Sequence, residues 1–173
     1  MVWKIEESDG NETGKVLWEL PQYTRGRGID VGCGAWKAFP HFIGVDNYTD
    51  QRMFGTQMKP DVIANADDLA LFADGSMDFV YSSHLLEHLE DTEKTLREWW
   101  RVIKVGGHLC LYLPHKLFYP NIGIKGANPD HKHDFLPDDI VEIMKRLGSW
   151  DLVRNEDRNG GSEYSFFQVY KKL

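Results

Sequence analysis

Short apolar runs alternate with amphipathic stretches along most of this chain. Gly28-Ile29-Asp30-Val31, Phe42-Ile43-Gly44-Val45, Asp61-Val62-Ile63-Ala64, Asp78-Phe79-Val80-Tyr81 and His108 to Leu113 are each four to six residues long. They are rich in Val, Ile, Leu and aromatics, and Gly, Pro, Asn or Asp bounds most of them, the pattern of buried parallel strands. Between the fourth and fifth runs, Leu96, Trp99, Trp100 and Ile103 recur at i, i+3, i+4 and i+7, which predicts a helix with one apolar face. Asp91 is placed to cap its start, Glu93 sits in its first turn, and Lys104 with Gly106 marks its stop. A second helix is predicted after Pro137, with Ile140, Ile143, Met144 and Leu147 on one face and Gly148 at its end. Trp150 to Arg154 and Tyr164 to Tyr170, joined through Asn159-Gly160-Gly161, read as an antiparallel hairpin. Strands alternating with helices imply an open α/β sheet with right-handed crossovers and helices on both faces. Ligands in such sheets bind beyond the carboxyl ends of the strands, where the strand order reverses.

That rule directs attention to Gly32-Cys33-Gly34, which follows the first run directly. Glycines there let the backbone turn sharply and approach a ligand closely. Asp30 precedes the turn and Asp46 ends the next strand, where a carboxylate can accept both hydroxyls of a ribose. A nicotinamide dinucleotide fits poorly: its fingerprint needs a third glycine where Lys37 stands, and a helix whose amino end receives the pyrophosphate. Only Ala35 to His41 separates the turn from the second strand, with Pro40 inside that span. No Gly-Lys-Ser/Thr phosphate loop is present. A ligand that needs ribose contacts and little phosphate cradling fits better.

Six stretches in unbroken order carry a resemblance. They are residues 28–34, Gly44-Val45-Asp46, Asn65-Ala66-Asp67-Asp68-Leu69, Asp74 to Val80, Ser82 to Leu89, and Leu96 to Gly107. Together they resemble the successive motifs of class I S-adenosylmethionine-dependent methyltransferases, most closely the small-molecule branch called type 11. The resemblance implies a doubly wound, mostly parallel, seven-stranded Rossmann-like sheet in three α/β/α layers, closed by a C-terminal antiparallel hairpin. It also implies S-adenosyl-L-methionine as cofactor and S-adenosyl-L-homocysteine as product. Carried over by position, Asp30, Gly32, Cys33 and Gly34 would lie along the methionine part. Asp46 would hold the ribose hydroxyls, with Asn47 beside it. Asn65 and Ala66 would sit at the adenine edge, the Ala66 amide donating to the ring, and either Asn65 or Asp67 would meet the exocyclic amine. Ser82, Ser83 and His84 would border the methionine end. The family usually has a longer helix after the glycine turn. Its shortening here leads us to expect Trp36, Lys37 and Phe39 over the cofactor from an unusual direction.

Composition narrows the choice of acceptor. The chain has 173 residues, expected as one domain: an N-terminal segment (1–27), a cofactor-binding core (28–113), an acceptor loop or lid (114–136), and a C-terminal helix and hairpin (137–173). Its net charge of −7 argues against a nucleic-acid partner, and Ser82-Ser83-His84-Leu85 stands where base amino-methyltransferases carry Asn/Asp-Pro-Pro-aromatic. No stretch is apolar enough to span a membrane, the start has no secretory pattern, and two cysteines are too few for a disulfide framework, so a cytoplasmic protein is expected. The expected reaction is methyl transfer to a small-molecule acceptor, first of all a hydroxyl of a sugar or other polar metabolite. The alternatives are a catalytically silent cofactor-binding partner domain and, last, a nicotinamide oxidoreductase.

An alcohol acceptor calls for a general base, and histidine is the side chain best poised near neutrality. Of seven histidines, His84, His131 and His133 are the candidates. His84 and His88 stand at i and i+4, and His88 is expected as a packed core residue. His131 and His133 are expected to present their rings on one side, with Asp134 orienting a neighbour. No metal is expected, because a lone His-x-His offers too few ligands, although His115 or Asp130 could join it. The polar segment around Tyr119, Asn121, Lys125 and Asn128 has the character of an acceptor pocket. Trp3 and Trp18 are expected to pack.

Overall fold

A computed structural model describes residues 12–47 and 59–173, together with the backbone of 52–53 and 56–57. The start of the chain, Trp3 included, lies outside the described residues. In chain order the strands and helices are β1 (Gly28–Val31), β2 (Ile43–Asp46), β3 (Arg52–Met53), β4 (Thr56–Gln57), β5 (Val62–Ile63), β6 (Met77–Ser83), α1 (Thr92–Val102), β7 (Ile103–Pro114), α2 (Pro137–Met144), β8 (Trp150–Arg158) and β9 (Ser165–Lys172). The main sheet has seven strands in the order β5-β2-β1-β6-β7-β9-β8, and β3 with β4 forms a small separate ribbon. The pairs from β5 to β7 are parallel, while β9 runs antiparallel to both β7 and β8. The sheet order reverses at β1, between β2 and β6, so the glycine turn leaves the sheet at its switch point.

Residues alternate between two cores, as the period of a strand requires. Ile29 and Val31 of β1, Val80 of β6, and Leu109, Leu111 and Leu113 of β7 pack with Leu96, Trp99 and Trp100 of α1 and Ile140 and Met144 of α2. On the other side Phe79, Tyr81, Cys110, Tyr112, Phe167 and Val169 pack with Val16, Leu20, Ala38 and Phe42. Both α-helices therefore cover the same face. Among the described residues, the opposite face is covered by 3-10 turns at Glu12–Lys15 and Leu20–Gln22 and by the connection after β1, where a helical layer was expected.

Element boundaries shift for identifiable reasons. The apolar stripe of α1 includes Ile103, but the helix stops at Val102, because Ile103 pairs with Met77 and begins β7. The register then slips before Phe79 pairs with His108, so the Gly106-Gly107 pair lies inside an irregular strand instead of ahead of one. Asp91 caps α1 as expected, accepting the Lys94 amide at 2.9 Å. Trp18 does not pack: it is 92% exposed. No helix among the described residues is long and apolar enough to cross a membrane.

Candidate cofactor and acceptor site

A cavity of about 750 Å³ opens beyond the carboxyl ends of β1, β2 and β6. Its cofactor-side wall is bare backbone. Gly32 has φ +74° and Gly34 φ +54°, a left-handed region that side chains rarely adopt, and a Cβ on Gly32 would stand 2.6 Å from Leu85. Gly34 donates its amide to Asp46 Oδ2 at 3.0 Å, which fixes the turn against the end of β2. Gly32, Cys33, Gly34, Asp46, Asn47, Ala66, Ser83 and His84 all line this space. The Ser83 hydroxyl is buried there, and its side chain interacts with that of Tyr81. Burial, reinforced by Asp30 and Asp46, pushes the Cys33 thiol up to about 12, so it is a packed neutral group and no nucleophile.

Four of the expected cofactor contacts face elsewhere. Asp30 is 2% exposed, and its Oδ2 accepts the Ala38 amide at 2.7 Å. It therefore closes the short connection from beneath. Desolvation raises its carboxyl to about 7 against the hydrogen bond from Ala38. Ser82 is fully buried and donates to the Val31 carbonyl at 2.9 Å, tying β6 to β1. Asn65 accepts the Asn47 amide at 3.1 Å, and Asp67 forms an exposed ion pair with Lys94 at 2.7 Å. Of the three residues expected over the cofactor, only Trp36 lines the cavity. Lys37 reaches Asp61 and the Pro40 and Phe42 carbonyls, and Phe39 packs on Phe42.

Helix α1 positions the loop from Ala66 to Asp74. Trp99 Nε1 donates to the Ala66 carbonyl at 2.7 Å, and Glu98 accepts the Leu69 amide at 2.9 Å. Arg101 then bonds the Leu69 and Phe72 carbonyls at 3.1 and 3.0 Å while pairing with Glu98. The apolar stripe of α1 thus secures the helix, and its polar edge holds the loop that carries the Ala66 amide.

Toward β7 and β9 the lining becomes polar: Glu12, Glu87, His88, Tyr119, Asn128, His131 and Tyr164. His84 leaves β6 with φ +48°, an uncommon conformation outside glycine, which turns the chain into the short 3-10 turn Leu86–His88. Its Nε2 lies 2.9 Å from Ser165 Oγ, and burial pushes its pKa down to about 4 despite the nearby Glu12 carboxylate. Glu87 is wholly buried, and burial raises its carboxyl to about 8. His131 stacks on Tyr119 and meets His88 edge-on, and burial, aided by His88, lowers it to about 4.

The structure separates the two loop histidines that were expected to share a side. His131 faces the cavity, whereas His133 turns Nε2 to the Leu89 carbonyl at 2.9 Å and stacks on Phe135. Asp134 accepts the Ile122 amide instead of orienting a histidine. His88, expected in the core, lines the cavity. His115 is buried, accepts the Leu117 amide and stacks on Phe118, away from His131. Asn121 and Lys125 do not line the cavity, while Tyr119 and Asn128 do. Glu12, Glu87 and Tyr164 were not singled out from sequence. Glu87 could have been: it stands at i+3 from His84, on the face already considered for His88 at i+4.

The bare glycine turn and the carboxylate one strand over leave room for an adenosyl group joined to an amino acid. Residues 29–111 match the model of a methyltransferase domain. A curated relative, the uncharacterized protein MJ1123 of Methanocaldococcus jannaschii, is 28% identical over 135 residues, covering 72% of this chain. The chain spans 64% of that relative's length. Among solved structures, a methyltransferase complexed with the Trm112 activator of Haloferax volcanii superposes with TM-score 0.70 at 16% identity, over 92% of this chain and 88% of that one. An S-adenosylmethionine-dependent methyltransferase from Archaeoglobus fulgidus gives 0.69 at 20% identity, over 98% and 96%. One from Mesorhizobium loti gives 0.70 at 17%, over 95% and 99%. These structural likenesses speak to the fold.

Proposed function

We propose that this chain is an S-adenosylmethionine-dependent methyltransferase that acts on a small polar acceptor, with a hydroxyl as the methylated group. The observation that carries the reading is one continuous cavity, which joins the glycine turn and Asp46 to a polar compartment at Tyr119, Asn128, His131 and Tyr164. Its volume of about 750 Å³ lies within the range of small-molecule sites, about 300–1,000 Å³. The net charge of −7 favours such an acceptor over a nucleic acid.

In this reading Gly32, Cys33 and Gly34 pass their backbone along the methionine part, and Ser83 and His84 border its end. Asp46 and Asn47 hold the ribose, and the loop at Ala66, clamped to α1, takes the adenine edge. When bound, S-adenosylmethionine supplies a methyl carried on a sulfonium, open to attack from the side opposite sulfur. The residues from the segment after β7 then align the acceptor and exclude competing water, and alignment alone contributes orders of magnitude in rate. That segment is ordered for the task. His115 bridges Phe135 across its base, and the Lys132 and His133 amides donate to the Glu87 carbonyl at 2.7 and 3.2 Å.

Transfer of a labelled methyl group across a panel of sugars, polyols, phenols, amines and thiols tests the proposal. Label in a hydroxyl compound, lost in His131→Ala, is the expected result. Label only in protein or nucleic acid would overturn it. Cofactor binding with no transfer to any of them would favour the silent domain.

A further inference from the structure

We propose that Glu87, His88 and His131 hold a divalent transition-metal cation at the acceptor end of the cavity, with open coordination positions facing the acceptor. One ligand atom from each lies within 4.8 Å of the others. Both Nε2 atoms approach the same carboxylate oxygen, His88 at 3.8 Å and His131 at 3.9 Å from Glu87 Oε1. Tetrahedral zinc with bonds near 2.0–2.1 Å separates its ligands by about 3.3 Å, so closures of about 0.5–1.5 Å complete the set.

The surroundings point to a ligand. Glu87 is 0% exposed, and neither of its oxygens has a hydrogen-bond partner in another residue. A carboxyl so placed strands its hydrogen-bonding capacity at considerable cost unless something occupies the space before it. A neighbouring cation removes that cost. The supports are also built. The His88 ring hydrogen-bonds the Asp130 main chain, an outer contact of the kind that orients metal-bound imidazoles. The segment carrying His131 is fastened to the Glu87 carbonyl through the amides of Lys132 and His133. His84 turns Nδ1 toward the same Glu87 oxygen at 3.9 Å, its other nitrogen held at Ser165, and so borders the site.

Two imidazoles and one carboxylate suit zinc, cobalt, manganese or iron better than magnesium or calcium, which prefer oxygen throughout. Three protein ligands with positions left open are the arrangement of reactive, not structural, metal sites. The acceptor that fits such a cation offers an oxygen lone pair, which the cation orients and acidifies. This last step rests on the methyl-transfer reading; the metal site itself does not.

Full-length protein stripped with chelator and titrated with Zn²⁺ by calorimetry, and with Co²⁺ by visible absorption, tests the site. The expected result is one equivalent bound, with cobalt d–d bands. Glu87→Gln and His131→Ala should each weaken binding at least about tenfold, the scale of losses in metal sites, while His133→Ala binds as wild type. Circular dichroism and thermal unfolding confirm an intact fold in each variant, His88→Ala replaces any variant that fails this check, and S-adenosylhomocysteine is titrated separately. No stoichiometric metal binding, or equal binding in the ligand variants and wild type, would overturn the proposal. Metal bound without any affinity for S-adenosylhomocysteine would leave the site standing and sink the methyl-transfer reading.

Discussion

Single residues separate structural from ligand-facing roles in ways their types do not announce. Asp30 precedes the glycine turn, yet its carboxylate serves the Ala38 amide beneath it. Its carboxyl is raised from 3.8 to about 7, so the folded chain keeps this proton where the unfolded chain has lost it. The associated stability is complete below the unfolded value and is lost as pH rises through the folded one. Asp30→Asn should therefore flatten the decline in stability between roughly pH 4 and 7. Urea midpoints at both ends of that window check it, and parallel slopes for the two proteins would remove Asp30 as the cause. His133 offers a sharper contrast with His131. Because its ring bonds Leu89 and faces away from the cavity, His133→Ala should cost about 1 kcal/mol of stability and leave turnover intact. A variant as slow as His131→Ala would return His133 to the reacting groups.

Elements were legible where their signals are local. The stripe Leu96, Trp99, Trp100 and the cap at Asp91 gave α1, and the short β-rich runs gave the parallel strands. Its end was not legible, since Ile103 satisfies the helical period and the strand register equally, and pairing with Met77 decides. Nor was the clamp between α1 and the 66–74 loop, because Glu98 and Arg101 read as ordinary surface charges. Arg101 reaches two carbonyls and two carboxylates there. Its loss should cost about 2 kcal/mol, near the strength of hydrogen bonds to charged groups, or roughly 4–8 °C in a chain of this size. Thermal unfolding of Arg101→Ala measures this directly. An unchanged midpoint would mean that the loop is held by Trp99 and apolar contacts alone.

Across the whole molecule the order of motifs anticipated the sheet, because each motif occupies one strand end and the sheet lines those ends up. The acceptor compartment was harder to anticipate. Tyr164 donates to Glu12 at 2.8 Å from a position far along the chain, and a lone sequence carries no signal for such pairings. The thin layer opposite the helices was equally hidden, since 3-10 turns leave no strong periodicity. In this reading the crevice at the switch point of the sheet takes the cofactor. Calorimetric titration with S-adenosylhomocysteine tests that claim most directly. One equivalent should bind, and Asp46→Ala should weaken it by about 1–3 kcal/mol, the cost of stranding the ribose hydroxyls. Absence of binding by the folded wild type at millimolar ligand, or an affinity indifferent to Asp46, would contradict it.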